Sequence, residues 1–304
     1  MKKFLILFFM VAATGSNAQI PTVTSGKIVH YDNFKSEFVD ARNVDVWLPD
    51  GYSPAKKYAV IYMHDGQMLF DNAHTWNHLS WSIDVTLTKL LKEKKIRDCI
   101  VVAVWNISEK RDAEYFPQKI IDSIPDATRN KILSKQIKGV PLADKYLKFL
   151  VKELKPFIDS HYSTYKDAGN TFLIGSSMGG LISLYGLCEY PGVFGGAACL
   201  SIHSPCASFE LMDQHTDADV ASKFRNYLIR NLPEANTKLI YFDYGSNTGD
   251  AYYDSYQRAL DAIMVKKGYS SPHWETRYFS GEEHSEKSWS KRFNIPIMFL
   301  LTKQ

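Results

Sequence analysis

The chain has 304 residues, 45% of them hydrophobic, enough for one large α/β domain with a sizeable core or for two small ones. Against 36 Lys and Arg stand 33 Asp and Glu, a formal net charge of +3. No polybasic patch is present, so the composition gives no basis for charge-driven binding of nucleic acid or an anionic membrane.

The first residues have the pattern of a secretory leader. Lys2-Lys3 is a basic start, Phe4 to Ala13 an apolar core, and Thr14-Gly15-Ser16-Asn17-Ala18 a small, polar cleavage region. This pattern predicts a signal peptide over 1–18, with Gln19 first in an exported, periplasmic or secreted chain; the domain then runs from 19 to 304. The apolar run is too short to span a bilayer, and no cysteine follows it to carry a lipid anchor. Losing Lys2 and Lys3 leaves the mature chain near neutral. Cys99, Cys188, Cys199 and Cys206 fall in apolar surroundings without a disulfide-like spacing, and free thiols are expected.

In chain order, Thr24 to Val39 and Asn43 to Leu48 read as two β segments that open a sheet antiparallel. Lys57 to Met63 is a further strand, ending in His64-Asp65-Gly66-Gln67. Trp81 to Lys95 carries helical spacing, and Cys99 to Val104 is a continuous apolar run of the kind found in central parallel strands. Asn106 to Val140 is long, polar and weakly periodic, which suggests a functional loop or lid. Pro141 to Tyr162 reads as an amphipathic helix, with Tyr146, Leu150, Leu154 and Ile158 at four-residue steps. A strand at Thr171 to Ile174 leads through Gly175-Ser176-Ser177-Met178-Gly179-Gly180 into a helix to Tyr190.

Beyond it, Gly196 to Leu200 is a strand, Ser201 to Ala221 is irregular and Lys223 to Leu232 is a short helix. Lys238 to Phe242 is a strand, Asp250 to Lys267 a helix and Trp274 to Phe279 the last strand. Ser285 to Phe293 is helical, and Ile295 to Leu301 is an apolar close. Strands and helices alternate after residue 57. The expected fold class is therefore α/β, a mostly parallel doubly wound sheet with an antiparallel N-terminal start.

Strand, Gly-x-Ser-x-Gly and helix together describe a nucleophile elbow around Ser177. A serine at such a tight turn is pushed out of the sheet, small neighbours relieve the crowding, and the helix N-terminus favours developing negative charge. A serine hydroxyl needs a base, and the base needs an orienting carboxylate. In the order Ser, acid, His, only His273 and His284 follow the strand that ends at Gly245. His273 begins a strand while His284 sits in the loop after it, so His284 is the candidate base. Asp250 is the favoured acid, with Asp243 in reserve and Asp254 third; read as structure alone, Asp250 is a helix N-cap. The oxyanion donors would be the N–H of Met178 and the N–H of Gln67.

Tyr62-Met63-His64-Asp65-Gly66-Gln67-Met68-Leu69-Phe70-Asp71, the Ser177 elbow and His284-Ser285-Glu286-Lys287-Ser288-Trp289 together resemble the Putative esterase (esterase D) family. That family includes siderophore esterases, feruloyl and acetyl-xylan esterases and S-formylglutathione hydrolases. The resemblance spans roughly residues 25 to 302 and implies an α/β-hydrolase fold, a Ser-Asp-His triad on Ser177, Asp250 and His284, and no cofactor. It implies a polar ester substrate, carbohydrate, feruloyl or siderophore in kind. Acyl transfer to an acceptor other than water, peptide cleavage on the same fold, and binding without turnover are the competing functions.

Arg111 is a candidate to steer an acidic or polyhydroxyl substrate, or else the partner of Glu114 in a surface pair. Tyr115 and Trp289 are candidates for substrate contact. His74 and His78 have a ligand-like spacing, but no further His, Cys or Glu cluster supports a metal.

Overall fold

The structure is a computed structural model that describes residues 20–73, 75–212 and 216–302; the leader expected at 1–18 and His74 lie outside the described residues. Among the described residues, eight strands form one sheet: β1 (Lys27–Phe34), β2 (Arg42–Leu48), β3 (Ala59–His64), β4 (Cys99–Val104), β5 (Thr171–Ser176), β6 (Gly196–Leu200), β7 (Leu239–Tyr244) and β8 (Trp274–Tyr278). Their spatial order is β1-β2-β4-β3-β5-β6-β7-β8. β1 with β2 and β2 with β4 are antiparallel, and every pairing from β4 to β8 is parallel. β3, β4 and β5 are buried along their whole length, as strands covered on both faces are.

Alternation along these strands divides the core. Ile100, Val102, Val104 and Leu173 face one layer, which α6 (Met178–Glu189) and α7 (Thr216–Asn231) also enter. Val101, Ala103, Phe172 and Ile174 face the other, shared with α1 (Ile83–Lys92), α9 (Glu286–Arg292) and α10 (Asn294–Leu301). Since β3 to β8 run parallel, the loops that follow them gather at one edge.

Three expectations need correction. The segment from Asn106 to Val140 is no open loop. It folds into short helical turns, including α2 (Arg111–Tyr115) and α3 (Asp126–Lys131), and buries Tyr115, Phe116, Ile120, Ile124, Ile132 and Ile137 in the core. Each turn ends before a periodic pattern can accumulate, which is why spacing did not reveal it. α7 begins at Thr216 rather than Lys223, because Val220 and Ala221 are already buried. The long helix expected at Pro141–Tyr162 is α4 (Ala143–Lys148) and α5 (Lys155–His161) joined through a wide π segment, Phe149–Leu154. Pro156 follows that segment and has no N–H to donate to a carbonyl four residues back.

All four cysteines are buried and unpaired. Among the described residues, no helix is long and apolar enough to cross a membrane.

Candidate active site

The residue between β5 and α6 is strained. Ser177 has φ 56° and ψ −124°, outside the regions a side chain normally allows. Its N–H donates to Leu200 O at 3.0 Å, and its carbonyl accepts from Leu181 N and His203 N, each at 3.1 Å. The crowding is real: a Cβ on Gly175 would lie 2.4 Å from the Gly179 carbonyl carbon. Only glycine fits there. Met178 is the first residue of α6, so its N–H has no intrahelical acceptor.

The loops after β7 and β8 bring two more groups to this edge. His284 Nδ1 lies 2.7 Å from Asp250 Oδ1, so its proton must sit on Nδ1 and Nε2 is left as the free nitrogen. Three aromatic rings meet the imidazole edge-on: Trp289 at 5.0 Å, Tyr253 at 5.5 Å and Phe209 at 6.0 Å between centroids. Ser177 and His284 line one cleft of about 430 Å³ with Gln67, Trp76, Arg111 and Trp289 among its other walls. Among the described residues no direct hydrogen bond joins the Ser177 hydroxyl to His284; catalytic hydrogen bonds of this kind tighten when substrate binds.

Asp250 is 1% exposed, and its second oxygen accepts from Gly245 N at 2.6 Å and from the Ser201 hydroxyl at 2.7 Å. Burial raises its pKa, but the hydrogen bond and charge of His284, with these two donors, outweigh burial and hold the carboxyl below its ordinary range. Ser201 is itself fixed, accepting from Trp289 Nε1 at 2.9 Å and Arg292 Nη2 at 3.0 Å. Sequence reading missed Ser201 and Arg292 because their work is to hold other side chains. The reserve acids lie elsewhere. Asp243 accepts from Arg292 at 2.9 Å and from the Tyr241 hydroxyl at 3.1 Å, and Asp254 accepts from the Tyr244 hydroxyl at 2.9 Å. His273 sits at the start of β8, beside a cavity of about 1140 Å³ at the opposite edge of the sheet.

Arg292 and Asp243 form an ion pair with side chains 3% and 0% exposed. Replacing Arg292 with Met leaves a buried carboxylate without its cation, and urea denaturation is expected to show a loss of about 3–5 kcal/mol. A loss below 1 kcal/mol would show the pair to be unimportant to stability.

Two buried histidines flank the site. His203 Nε2 faces the Ala207 carbonyl at 2.8 Å and must donate to it, so Nδ1 accepts from the Tyr253 hydroxyl at 2.6 Å. Tyr253 also touches the Ser177 side chain. His64 lies on β3 with Nδ1 2.8 Å from the Tyr146 hydroxyl. Burial lowers both histidines from 6.5 to about 4. Between those values the unfolded chain binds protons that the folded chain does not. Stability is therefore full above pH 6.5 and falls toward pH 4, at about 1.4 kcal/mol per pH unit for each histidine. Replacing His203 with Gln should flatten the pH dependence of the denaturation midpoint across this window; an unchanged slope would contradict it.

The loop after β3 carries the remaining candidates. Asp65 adopts a left-handed conformation (φ 57°) and opens the short turn Gly66–Met68, in which Met68 N donates to Asp65 O at 2.9 Å. The Gln67 N–H lies in the first turn of that segment, where no acceptor precedes it. Arg111 does not pair with Glu114. Its Nε and Nη2 both bond the Asp65 carboxylate at 2.8 Å, while Glu114 is buried against Arg42 at 2.6 and 2.8 Å. Tyr115 does not reach substrate space either: it is 0% exposed, and its hydroxyl accepts from Asp65 N at 3.3 Å. Trp289 does line the cleft, as one of its walls. Among the described residues no cluster of three His, Cys, Asp or Glu side chains is placed to hold a metal ion.

The same fold recurs in solved esterases. The enterobactin esterase FES from Shigella flexneri is 16% identical with a TM-score of 0.64, over 92% of this chain and 60% of that one. The CE1 ferulic acid esterase AmCE1/Fae1A from Anaeromyces mucronatus is 20% identical with a TM-score of 0.59, over 94% and 91%. An IroE-like serine hydrolase from Shewanella oneidensis is 20% identical with a TM-score of 0.63, over 90% and 79%. Uncharacterized protein YjcH of Bacillus subtilis (strain 168) is 26% identical over 195 residues, 64% of this chain and 69% of that one. This chain thus spans 60% of the length of the Shigella esterase. Its sheet, mostly parallel with an antiparallel start, is that of an α/β hydrolase. Residues 36–294 match the Esterase family, described as Putative esterase, and the chain belongs to that family.

Proposed function

We propose that this protein is an exported esterase that cleaves a polar acyl ester through Ser177, His284 and Asp250. The observation that carries the reading is the strained Ser177 in one cleft with His284, whose Nδ1 is committed to Asp250. His284 Nε2 takes the Ser177 proton as Oγ attacks the ester carbonyl. The N–H groups of Met178 and Gln67 hold the oxyanion. His284 then protonates the leaving alcohol and activates water to release the acyl group.

The cleft supports a polar, ring-bearing substrate. Trp76 is 82% exposed beside it, while Arg111, Asn106 and Glu286 add polar walls. Solved neighbours named for enterobactin and ferulic acid have the same fold, which supports a siderophore, feruloyl or carbohydrate ester. The Lys2-Lys3 start and the apolar run after it support export, with the single α/β-hydrolase domain following from residue 19.

A fluorophosphonate probe should label Ser177 in the folded protein, and a panel of acetyl, feruloyl and tri-catecholate esters should rank the substrates. Absence of labelling, with no ester turned over, would leave a binding protein in place of an esterase.

A further inference from the structure

The loop that carries Gln67 and the helix that carries Met178 meet at one side chain, Asp65. Its Oδ1 accepts from Arg111 Nε at 2.8 Å and Asn106 Nδ2 at 2.6 Å, and its Oδ2 accepts from Arg111 Nη2 at 2.8 Å. Asn106 N in turn donates to Gln67 Oε1 at 3.2 Å. On the other side, Asp65 Oδ2 lies 3.1 Å from where a Cβ on Gly179 would stand, two residues past Ser177. The carboxylate therefore sits between the loop that carries Gln67 and the first turn of α6. A bare negative charge in that position would oppose the negative charge that develops on the substrate oxygen.

We propose that Arg111 and Asn106 act as a clamp on Asp65, with Arg111 the positioning residue that sets the Gln67 loop against α6 and neutralises the carboxylate beside the oxyanion. This rests on the proposed roles of Ser177, Gln67 and Met178, and it gives Arg111 a task other than substrate steering. Two nitrogens of the guanidinium are spent on Asp65 in a fork geometry that lysine cannot reproduce. The ring of Tyr115 lies under the guanidinium carbon at 5.2 Å, and the Tyr115 hydroxyl accepts from Asp65 N, so the clamp is braced from the core. The clamp also ties the 106–137 segment to the oxyanion loop, although the two are far apart in sequence.

The test uses p-nitrophenyl acetate and the full mature chain. Arg111→Ala should lower kcat by about 10- to 100-fold with KM within about twofold, because the effect falls on the oxyanion rather than on the bound ester. Millimolar guanidinium chloride should restore part of the rate. Asp65→Asn in the Arg111→Ala background removes the uncompensated charge and should raise kcat several-fold above the single variant, a recovery that a merely structural role does not predict. Where Arg111→Ala fails to fold, Arg111→Gln carries the same comparison. A raised KM with unchanged kcat would assign Arg111 to substrate instead, and failure of Asp65→Asn to recover activity would overturn the clamp. Failure of the catalytic reading looks different: Ser177→Ala would then keep wild-type turnover whatever Arg111 does.

Discussion

Ser177→Ala is expected to lower kcat/KM on p-nitrophenyl acetate by about 10⁴-fold or more and to abolish fluorophosphonate labelling, while the melting temperature stays close to that of the wild type. Nucleophile and base act as a unit, so what survives is what binding and the oxyanion donors contribute alone. The expected constancy of the fold follows from the contacts. Ser177 holds its neighbours through its main chain, with N bonded to Leu200 O and its carbonyl bonded to Leu181 N and His203 N, and alanine keeps all three. The strained φ of 56° remains an alanine problem as much as a serine one. Thermal melts followed by circular dichroism, run beside the kinetics, separate the two effects. Normal turnover by the variant would remove Ser177 from the chemistry; lost turnover with a large fall in melting temperature would make the loss structural.

The legibility of this chain follows from how local each signal is. β4 and β5 are short apolar runs with buried faces on both sides, and the Gly-Ser-Ser-Met-Gly-Gly turn is crowded by its own backbone, so both can be read from neighbouring letters. The pairing of Asp250 with His284 joins loops 34 residues apart, and chain order in α/β hydrolases supplied the missing link. What escaped reading was long-range and polar. Arg111 and Glu114 are three apart and look like a helix pair, yet their partners Asp65 and Arg42 come from other strands and loops. Ser201 carries no motif at all. Its importance lies in accepting from Trp289 and Arg292 while donating to Asp250, three contacts spread over the last third of the chain.

That arrangement around Ser201 makes Asp250→Asn the second large effect, and fixes its sign. Asp250 Oδ2 faces two donors, the immobile N–H of Gly245 and the hydroxyl of Ser201. The hydroxyl cannot turn its hydrogen elsewhere, because Trp289 Nε1 and Arg292 Nη2 already donate to its oxygen. An asparagine must therefore keep its single oxygen on that side and turn its NH₂ group toward His284. Two donors cannot share one bond, so the imidazole is driven to carry its proton on Nε2, the nitrogen that has to accept from Ser177. The expected result is a fall in kcat of about 10⁴-fold with little change in KM, the scale known for the corresponding wrong-tautomer change in trypsin-like enzymes. Asp250→Asn/Ser201→Ala removes one of the two donors but leaves the immobile N–H of Gly245, which still holds the amide oxygen on that side, so it should recover no more than a few-fold of the lost rate. Stopped-flow measurement of the acylation burst reads this step directly. Asp250→Asn within tenfold of wild type would show that another group orients His284, and a recovery of about tenfold or more in the double variant would show that the N–H of Gly245 does not hold the amide.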